Sequence, residues 1–147
     1  MPRIVREATV TWEGSLARGS GTASAGTGAF ALPVDLPSRV GDPGSKTSPE
    51  ELLAAAHATC YATSIAGEIA RAGGTVETVD VRCTITMDEV EGKGHLIVGS
   101  DLDVRARATG IDQAGVEQAA TTADEGCPFS ALIRASASVS VRAELAS

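Results

Sequence analysis

The sequence of 147 residues predicts a single α+β domain, and the order of its patterned segments supports that assignment. Alternating polar and apolar residues in 5–25 and again in 79–108 are typical of two β-hairpins. A long apolar helix is predicted between the hairpins, and a shorter helix and one more strand after them. There is no internal repeat and no linker-like segment. We therefore expect one domain spanning 1–147, with its sheets antiparallel and its helices inserted between strands.

The long helix has a clear start and a clear end. Ser48 can serve as the N-cap, Pro49 fits the first helical position, and Glu51 follows the cap at the spacing of a capping box. Gly73 and Gly74 form a stop signal. We expect the helix to start at about Ser48 and to run without a break.

The body of this helix has no continuous polar face before Glu68, so we expect it to be buried nearly all round. A membrane span is disfavoured, because alanine supplies most of the apolar character and His57, Thr59, Thr63 and Ser64 interrupt it. One sheet can cover only one side of the helix. Its small side chains allow a second helix to approach closely, so the sequence predicts a homodimer with two central helices.

The remaining segments are assigned in order. Gly14 separates the two strands of the first hairpin, and residues 26–46 are so rich in Gly, Pro, Asp and Ser that we expect no regular structure there. Long irregular connections are often functional, and this one contains Arg39. The second hairpin turns at 91–94, and a helix is predicted over 112–124.

Composition excludes several classes of function. The net charge of −7, the pI near 4.7 and the scarcity of aromatic residues argue against a nucleic-acid partner and against anionic membranes. The first residues alternate instead of forming an apolar signal segment, so we expect a cytoplasmic protein with reduced thiols. Small molecules or proteins are the expected partners.

Cys60, Cys83 and Cys127 form no CxxC pair and are an odd number, which disfavours both a disulfide framework and a structural zinc site. His57 and Cys60 could form half of a metal site, but no second half follows at a familiar spacing. Cys83 lies on the apolar face of its strand, so we expect it to be structural. A core position with satisfied hydrogen bonds is the favoured interpretation of His57, with tuning of Cys60 as the alternative.

The other two cysteines have different predicted surroundings. Cys60 lies about 15 Å along the helix from its start, too far for the helix N-terminus to stabilise a thiolate, so a reactive Cys60 needs a cation from elsewhere. Buried cysteines in alanine-rich helices are usually inert, and that interpretation stays open at this point. Cys127 precedes Pro128 and can occupy the N-cap of a short helix, where unpaired N–H groups lower a thiol pKa.

Three motifs resemble the OsmC/Ohr family of osmotically inducible and organic hydroperoxide resistance proteins, which are thiol-dependent peroxidases. They are TWEG followed by RGSGT at 11–22, TSPEELLAAAHATC at 47–60 and GCPFS at 126–130. The resemblance covers almost the whole chain. It is stronger to the OsmC branch, because the Ohr branch typically has an NPEQ opening and a tyrosine in place of His57.

The resemblance implies an intertwined homodimer in which antiparallel sheets wrap around two central helices. It also implies that Cys60 is the peroxidatic cysteine and Cys127 the resolving one, and that Arg39 and Glu50 orient the thiolate. Arg18 is the alternative arginine, since the Ohr branch takes its arginine from the N-terminal hairpin. The implied substrate is an organic hydroperoxide and the implied reductant a dithiol, for example a lipoylated protein. No metal, haem or flavin is required.

The helix itself constrains the implied site. In one straight helix Glu50 and Cys60 are about 15 Å apart along the axis, so they cannot serve one centre within a chain unless the helix breaks. We therefore expect Glu50 and Arg39 to act on Cys60 of the partner subunit. Two other functions stay open: a non-enzymatic dimeric stress or ligand-binding protein of the same fold, and a general disulfide reductase, which the absence of CxxC disfavours.

Overall fold

The computed structural model describes residues 2–146, which form six strands and four helices. They divide into two compact units, one of residues up to Leu52 and one of residues from Leu53 on. The prediction of one domain is not tested by this division and stays a prediction. In chain order the elements are β1 (Ala8–Glu13), β2 (Ser20–Ala25), β3 (Ala31–Val34), α1 (Leu36–Val40), α2 (Pro49–Arg71), β4 (Thr75–Val90), β5 (Gly94–Thr109), α3 (Gln113–Gly126), α4 (Pro128–Arg134) and β6 (Ser138–Leu145).

The first unit contains a three-stranded antiparallel sheet in the order β1-β2-β3. The hairpin of β1 and β2 confirms the first predicted hairpin, and Trp12 pairs with Gly21 across it. Gly21 suits that position, because a Cβ there would come within 3.0 Å of the indole ring. Gly14, in the turn, has a φ of +90°, which favours glycine.

The expectation of no regular structure over 26–46 was wrong. This segment contains β3, which completes the first sheet, and the short helix α1. Pro33 is tolerated in β3 because that strand lies at the edge of the sheet. The carboxylate of Asp35 caps α1 by accepting from the Ser38 backbone N–H at 2.7 Å, and it also accepts from Lys46 Nζ at 2.6 Å. Pairing with β2 and this cap supply order that local composition does not indicate.

The long helix α2 confirms the predicted start and is continuous from Pro49 to Arg71. The Ser48 hydroxyl accepts from the Glu51 backbone N–H at 3.2 Å, as an N-cap does. The Glu51 carboxylate accepts from the Thr47 hydroxyl at 2.7 Å. Among residues 2–146, no helix has the length and apolarity that crossing a membrane requires.

Only one face of α2 is buried in the single chain. Its fully buried side chains recur at intervals of four residues and are His57, Tyr61, Ile65 and Ile69. Residues 55, 59 and 63, on the other side, are exposed. One chain therefore does not provide the predicted burial all round. Burial of the second face by another helix, and with it the homodimer, stays a prediction.

The second unit contains a sheet in the order β4-β5-β6. The long hairpin of β4 and β5 confirms the second predicted hairpin, and Cys83 packs against the core from β4 as expected. β6 pairs with β5 in parallel, so the expectation of antiparallel sheets was wrong for this strand. A parallel neighbour requires a crossover connection, and α3 and α4 provide it. The core is formed by α2, α3 and the inward face of β5.

Candidate active site

Two thiols meet in the second unit, although 67 positions separate them in the sequence. The Sγ atoms of Cys60 on α2 and Cys127 between α3 and α4 are 3.5 Å apart, with the Cys127 thiol donating to Cys60. Both thiols are free, and Cys127 is only 1% exposed. The distance exceeds the bond length of about 2.05 Å in a disulfide, so a small movement suffices to join the sulfurs.

Cys127 owes its position to the junction of two helices. It ends α3 and is the N-cap of α4, with extended backbone angles and a sulfur that accepts from the Ser130 backbone N–H at 3.5 Å. Pro128 follows at the first helical position, where no N–H is needed. The prediction that Cys127 caps a short helix is confirmed.

The surroundings of Cys60 within the chain favour a neutral thiol. Burial raises its pKa above the ordinary value, and repulsion between the Cys60 and Cys127 thiolates at this short distance raises it further. Hydrogen bonds from the Phe129 backbone N–H and from Ser64 lower the pKa by less. A reactive thiolate at neutral pH therefore needs an additional positive charge, as expected from the position of Cys60 in the middle of the helix.

Arg39 and Glu50 form a second pair, in the first unit. Arg39 Nε donates to Glu50 Oε1 at 2.9 Å, from the last turn of α1 to the first turn of α2. The two side chains are 46% and 16% exposed, respectively. Glu50 Oε2 is buried and has no hydrogen-bond partner among the described residues. The pairing of these residues agrees with the resemblance, although their catalytic role stays a prediction.

A mainly apolar cavity of about 340 Å³ adjoins Arg39 in the same unit. Its lining combines side chains of the first sheet, α1 and the start of α2, including Val10, Trp12, Leu16, Val34, Leu36 and Leu52. Arg39 thus presents a cation beside an apolar space. Arg18, the alternative arginine, is exposed in the turn between β1 and β2, where its backbone N–H donates to Ser15 Oγ at 3.2 Å.

A buried polar cluster surrounds His57, and its extent was not predicted. His57 is 0% exposed, with Nδ1 2.7 Å from Ser100 Oγ and Nε2 2.8 Å from Ser130 Oγ. Cys83 Sγ lies 3.1 Å from the same Ser100 hydroxyl. Burial lowers the pKa of His57 and raises that of Cys83, so both side chains are neutral at pH 7.

This cluster confirms that His57 is a core histidine with satisfied hydrogen bonds. One signal in the sequence was available: Ser100 shares the inward face of β5 with the buried Leu102 and Val104, and a polar residue on an apolar face requires a partner. Ser130 is the last residue of the GCPFS motif. Its contact with His57 could not be read from the sequence, because 73 positions separate them.

The fold and the site together define an α+β protein in which two cysteine thiols lie next to each other. One thiol is on a continuous helix, and the other is at the junction of two helices. Comparison with known proteins agrees with this class. The family model described as OsmC-like protein matches residues 41–142. The chain is 31% identical over 134 residues to peroxiredoxin OsmC of Escherichia coli strain K12, which covers 90% of this chain and 92% of that protein. The chain therefore belongs to the OsmC-like family, and the resemblance drawn from its motifs is confirmed.

Solved structures support the same fold. An OsmC-like protein of unknown function from Vibrio cholerae matches with a TM-score of 0.80 at 16% identity, over 97% of this chain and 100% of that chain. The organic hydroperoxide resistance protein OhrB of Bacillus subtilis matches with a TM-score of 0.71 at 23% identity, over 95% of this chain and 98% of that chain. The predicted α+β class is confirmed.

Proposed function

We propose that this protein is a cysteine-based peroxidase that reduces organic hydroperoxides through Cys60 and Cys127. The observation that carries the proposal is the distance of 3.5 Å between the two free sulfurs. The names of related proteins, peroxiredoxin and organic hydroperoxide resistance protein, support the same reaction class. Cys83 has no role in the proposed chemistry, because its thiol contacts the Ser100 hydroxyl and packs against the core.

The reaction proceeds in two steps. The Cys60 thiolate attacks the terminal peroxide oxygen, the O–O bond breaks, and the alkoxide takes a proton and leaves as an alcohol. Cys60 is then a sulfenic acid. The Cys127 sulfur attacks it, an S–S bond forms, and the hydroxyl leaves as water with the thiol proton. A dithiol, such as a lipoyl group on a protein, reduces the disulfide, so that no metal, haem or flavin takes part.

Arg39 supplies the positive charge that the Cys60 thiolate lacks within its own unit. A guanidinium beside the sulfur lowers the thiol pKa and stabilises the negative charge that moves to the leaving oxygen. Glu50 holds the guanidinium in place through the contact of 2.9 Å. Its second carboxylate oxygen, buried without a partner among the described residues, is available to accept the hydroperoxide O–H.

We propose further that the site is composite, with Arg39 and Glu50 of one subunit serving Cys60 of the other in a homodimer. α2 has no break between positions 50 and 60, which removes the alternative that a kink brings Glu50 to the sulfur of its own chain. The exposed face of α2 at 55, 59 and 63 is suited to a second helix, because its side chains are small.

The apolar cavity beside Arg39 favours organic hydroperoxides over hydrogen peroxide. A hydrocarbon substituent that leaves water for this space gains binding energy in proportion to its buried area, whereas hydrogen peroxide has no such group. The charged Arg39 then faces the peroxide end of the substrate, and the cavity takes the apolar end.

Mass spectrometry after addition of one equivalent of tert-butyl hydroperoxide tests the proposal. We expect the loss of two hydrogens per chain and a peptide that links Cys60 to Cys127. The Cys83→Ser variant should form the same link, whereas Cys60→Ser should consume no peroxide. Unchanged thiols in the unaltered protein would instead favour a non-enzymatic dimeric protein of the same fold.

A further inference from the structure

Two contacts between side chains join α2 to the first turn of α4, and they lie at the same spacing on both helices. The sulfurs of Cys60 and Cys127 are 3.5 Å apart, and Nε2 of His57 lies 2.8 Å from Ser130 Oγ. His57 precedes Cys60 by three positions on α2, and Ser130 follows Cys127 by three on α4. Positions three apart share one face of a helix, so the imidazole contact is the direct neighbour of the sulfur contact.

The histidine contact is buried and specific. His57, Ser100 and Ser130 are all 0% exposed, and both ring nitrogens of His57 have a hydroxyl partner. A neutral imidazole has one donor and one acceptor, so the two serines satisfy it completely. Loss of the Ser130 hydroxyl leaves the buried Nε2 unpaired, so this contact fixes the distance between α2 and α4 more strictly than an apolar contact would.

α4 depends on such contacts for its position. A helix of seven residues is too short to be stable by itself, so its orientation is set by what it packs against. Ile133 is buried on one side, and Arg134 in the last turn forms an ion pair with Asp124 of α3. At the first turn, where Cys127 lies, the Phe129 backbone N–H and the Cys127 thiol contact Cys60, and the contact of Ser130 with His57 connects α4 to α2 without involving the reacting sulfur.

We propose that His57 is a positioning residue for disulfide formation. Through its contact with Ser130, His57 holds the first turn of α4 so that the Cys127 sulfur faces Cys60. This proposal rests on the proposed function in one respect, namely that the disulfide forms when Cys127 attacks the Cys60 sulfenic acid and water leaves. The geometric claim is independent of peroxide. Any oxidant that joins the two sulfurs should benefit from the same positioning.

Equilibration with glutathione tests this claim without a hydroperoxide. Oxidised glutathione converts the Cys60 and Cys127 thiols to a disulfide and yields two molecules of reduced glutathione, so the equilibrium constant reports how well the sulfurs are positioned. The variants are Ser130→Ala and His57→Leu, with His57→Gln as the conservative change. Ser100→Ala is the matched control, because it removes an equally buried hydroxyl from the other ring nitrogen. All variants carry Cys83→Ala, which excludes a third thiol without adding a hydroxyl beside Ser100 and His57.

We expect Ser130→Ala and His57→Leu to lower the equilibrium constant at least about tenfold, since small errors in position are costly for an intramolecular reaction. Ser100→Ala should stay within about twofold, and His57→Gln should recover part of the loss. A Ser130→Ala protein with an unchanged constant would overturn the proposal, and so would a Ser100→Ala protein that loses as much as Ser130→Ala. Urea unfolding of Ser130→Ala and Ser100→Ala shows whether they are equally folded. Failure of the hydroperoxide reaction alone would contradict the proposed function and not this positioning role.

Discussion

The unit that begins at Leu53 contains all three thiols of the chain, whereas the unit that ends at Leu52 contains none and instead holds the Arg39–Glu50 ion pair. The thiols have surroundings that raise the pKa of Cys60, and the ion pair borders an apolar cavity. In the proposed function each unit thus supplies a group that the other lacks. The proposal assigns the reacting sulfurs to one unit and the activating guanidinium to the other. Substitutions in one unit at a time can therefore test whether both are needed.

The largest effect is expected for Arg39→Ala. Loss of the guanidinium removes the charge that stabilises the thiolate and the leaving oxygen, so kcat/KM for an organic hydroperoxide should fall by about 100-fold to 1000-fold. Arg39 is 46% exposed but Glu50 only 16%, so loss of the ion pair should cost some stability, and circular dichroism checks that the variant is folded. The control is Arg18→Ala, which should react at nearly the original rate. If Arg18→Ala is the inactive protein, the resemblance to the Ohr branch locates the arginine correctly and Arg39 is structural.

Mixed dimers sharpen the comparison, because they separate the two units onto different chains. Cys60→Ser and Arg39→Ala proteins should each be inactive, yet after subunit exchange one site of each mixed dimer is complete. Random mixing should restore about a quarter of the original sites in a symmetric dimer. Peroxide consumption measured after mixing tests this. No recovery, with exchange verified by mass-tagged subunits, means that each site is built within one chain.

A smaller effect is expected at the apolar cavity. Leu16 lines it and is 69% exposed, so Leu16→Asn should change the cavity without unfolding the protein. We expect kcat/KM for a long-chain hydroperoxide to fall about threefold to tenfold, because less apolar surface is buried, while hydrogen peroxide reacts as before. Leu96→Asn is the control, since Leu96 is 40% exposed on β5 and does not line this cavity. Equal losses in both variants would count against the cavity as a substrate site.

The smallest effect concerns stability and the buried imidazole of the second unit. Burial lowers the pKa of His57 below 6.5, with Asp124 opposing and Arg134 assisting this shift, and the neutral Cys83 beside it adds no charge. Above pH 6.5 the imidazole is neutral in both the folded and the unfolded chain, so it adds no pH dependence. Below that pH the unfolded chain takes up a proton that the folded chain resists, and stability falls.

This decline can amount to at most about 1.4 kcal/mol per pH unit, and it ends at the pKa of the folded state. The free energy of unfolding by urea, measured at intervals between pH 7.5 and 5, should therefore decrease in the original protein. In His57→Gln this contribution should be absent, whereas carboxylate titrations affect both proteins alike. Identical pH profiles would show that His57 is protonated as easily in the folded protein as in the unfolded one.

Much of the fold was predictable because its signals are local. The start of α2 depends on Ser48 and Pro49, the two hairpins on alternation of period two, and the cap of α4 on Cys127 next to Pro128. These features use neighbouring residues, so the sequence contains them directly. Where proline and glycine obscure the pattern the prediction was wrong, because pairing with β2 decided the structure of β3 and the Asp35 cap that of α1.

The sequence by itself determined the α+β class, the elements that carry the cysteines and, through its motifs, the family. Tertiary structure decided which side chains meet. Residues that are 43 to 73 positions apart are joined by the 3.5 Å contact of Cys60 with Cys127 and by the contacts of His57 with its two serine partners. β6 pairs in parallel only because α3 and α4 carry the chain across the sheet. Such contacts depend on the packing of whole elements, which no local pattern records, because a helix or strand signal specifies a face and not the partner that covers it.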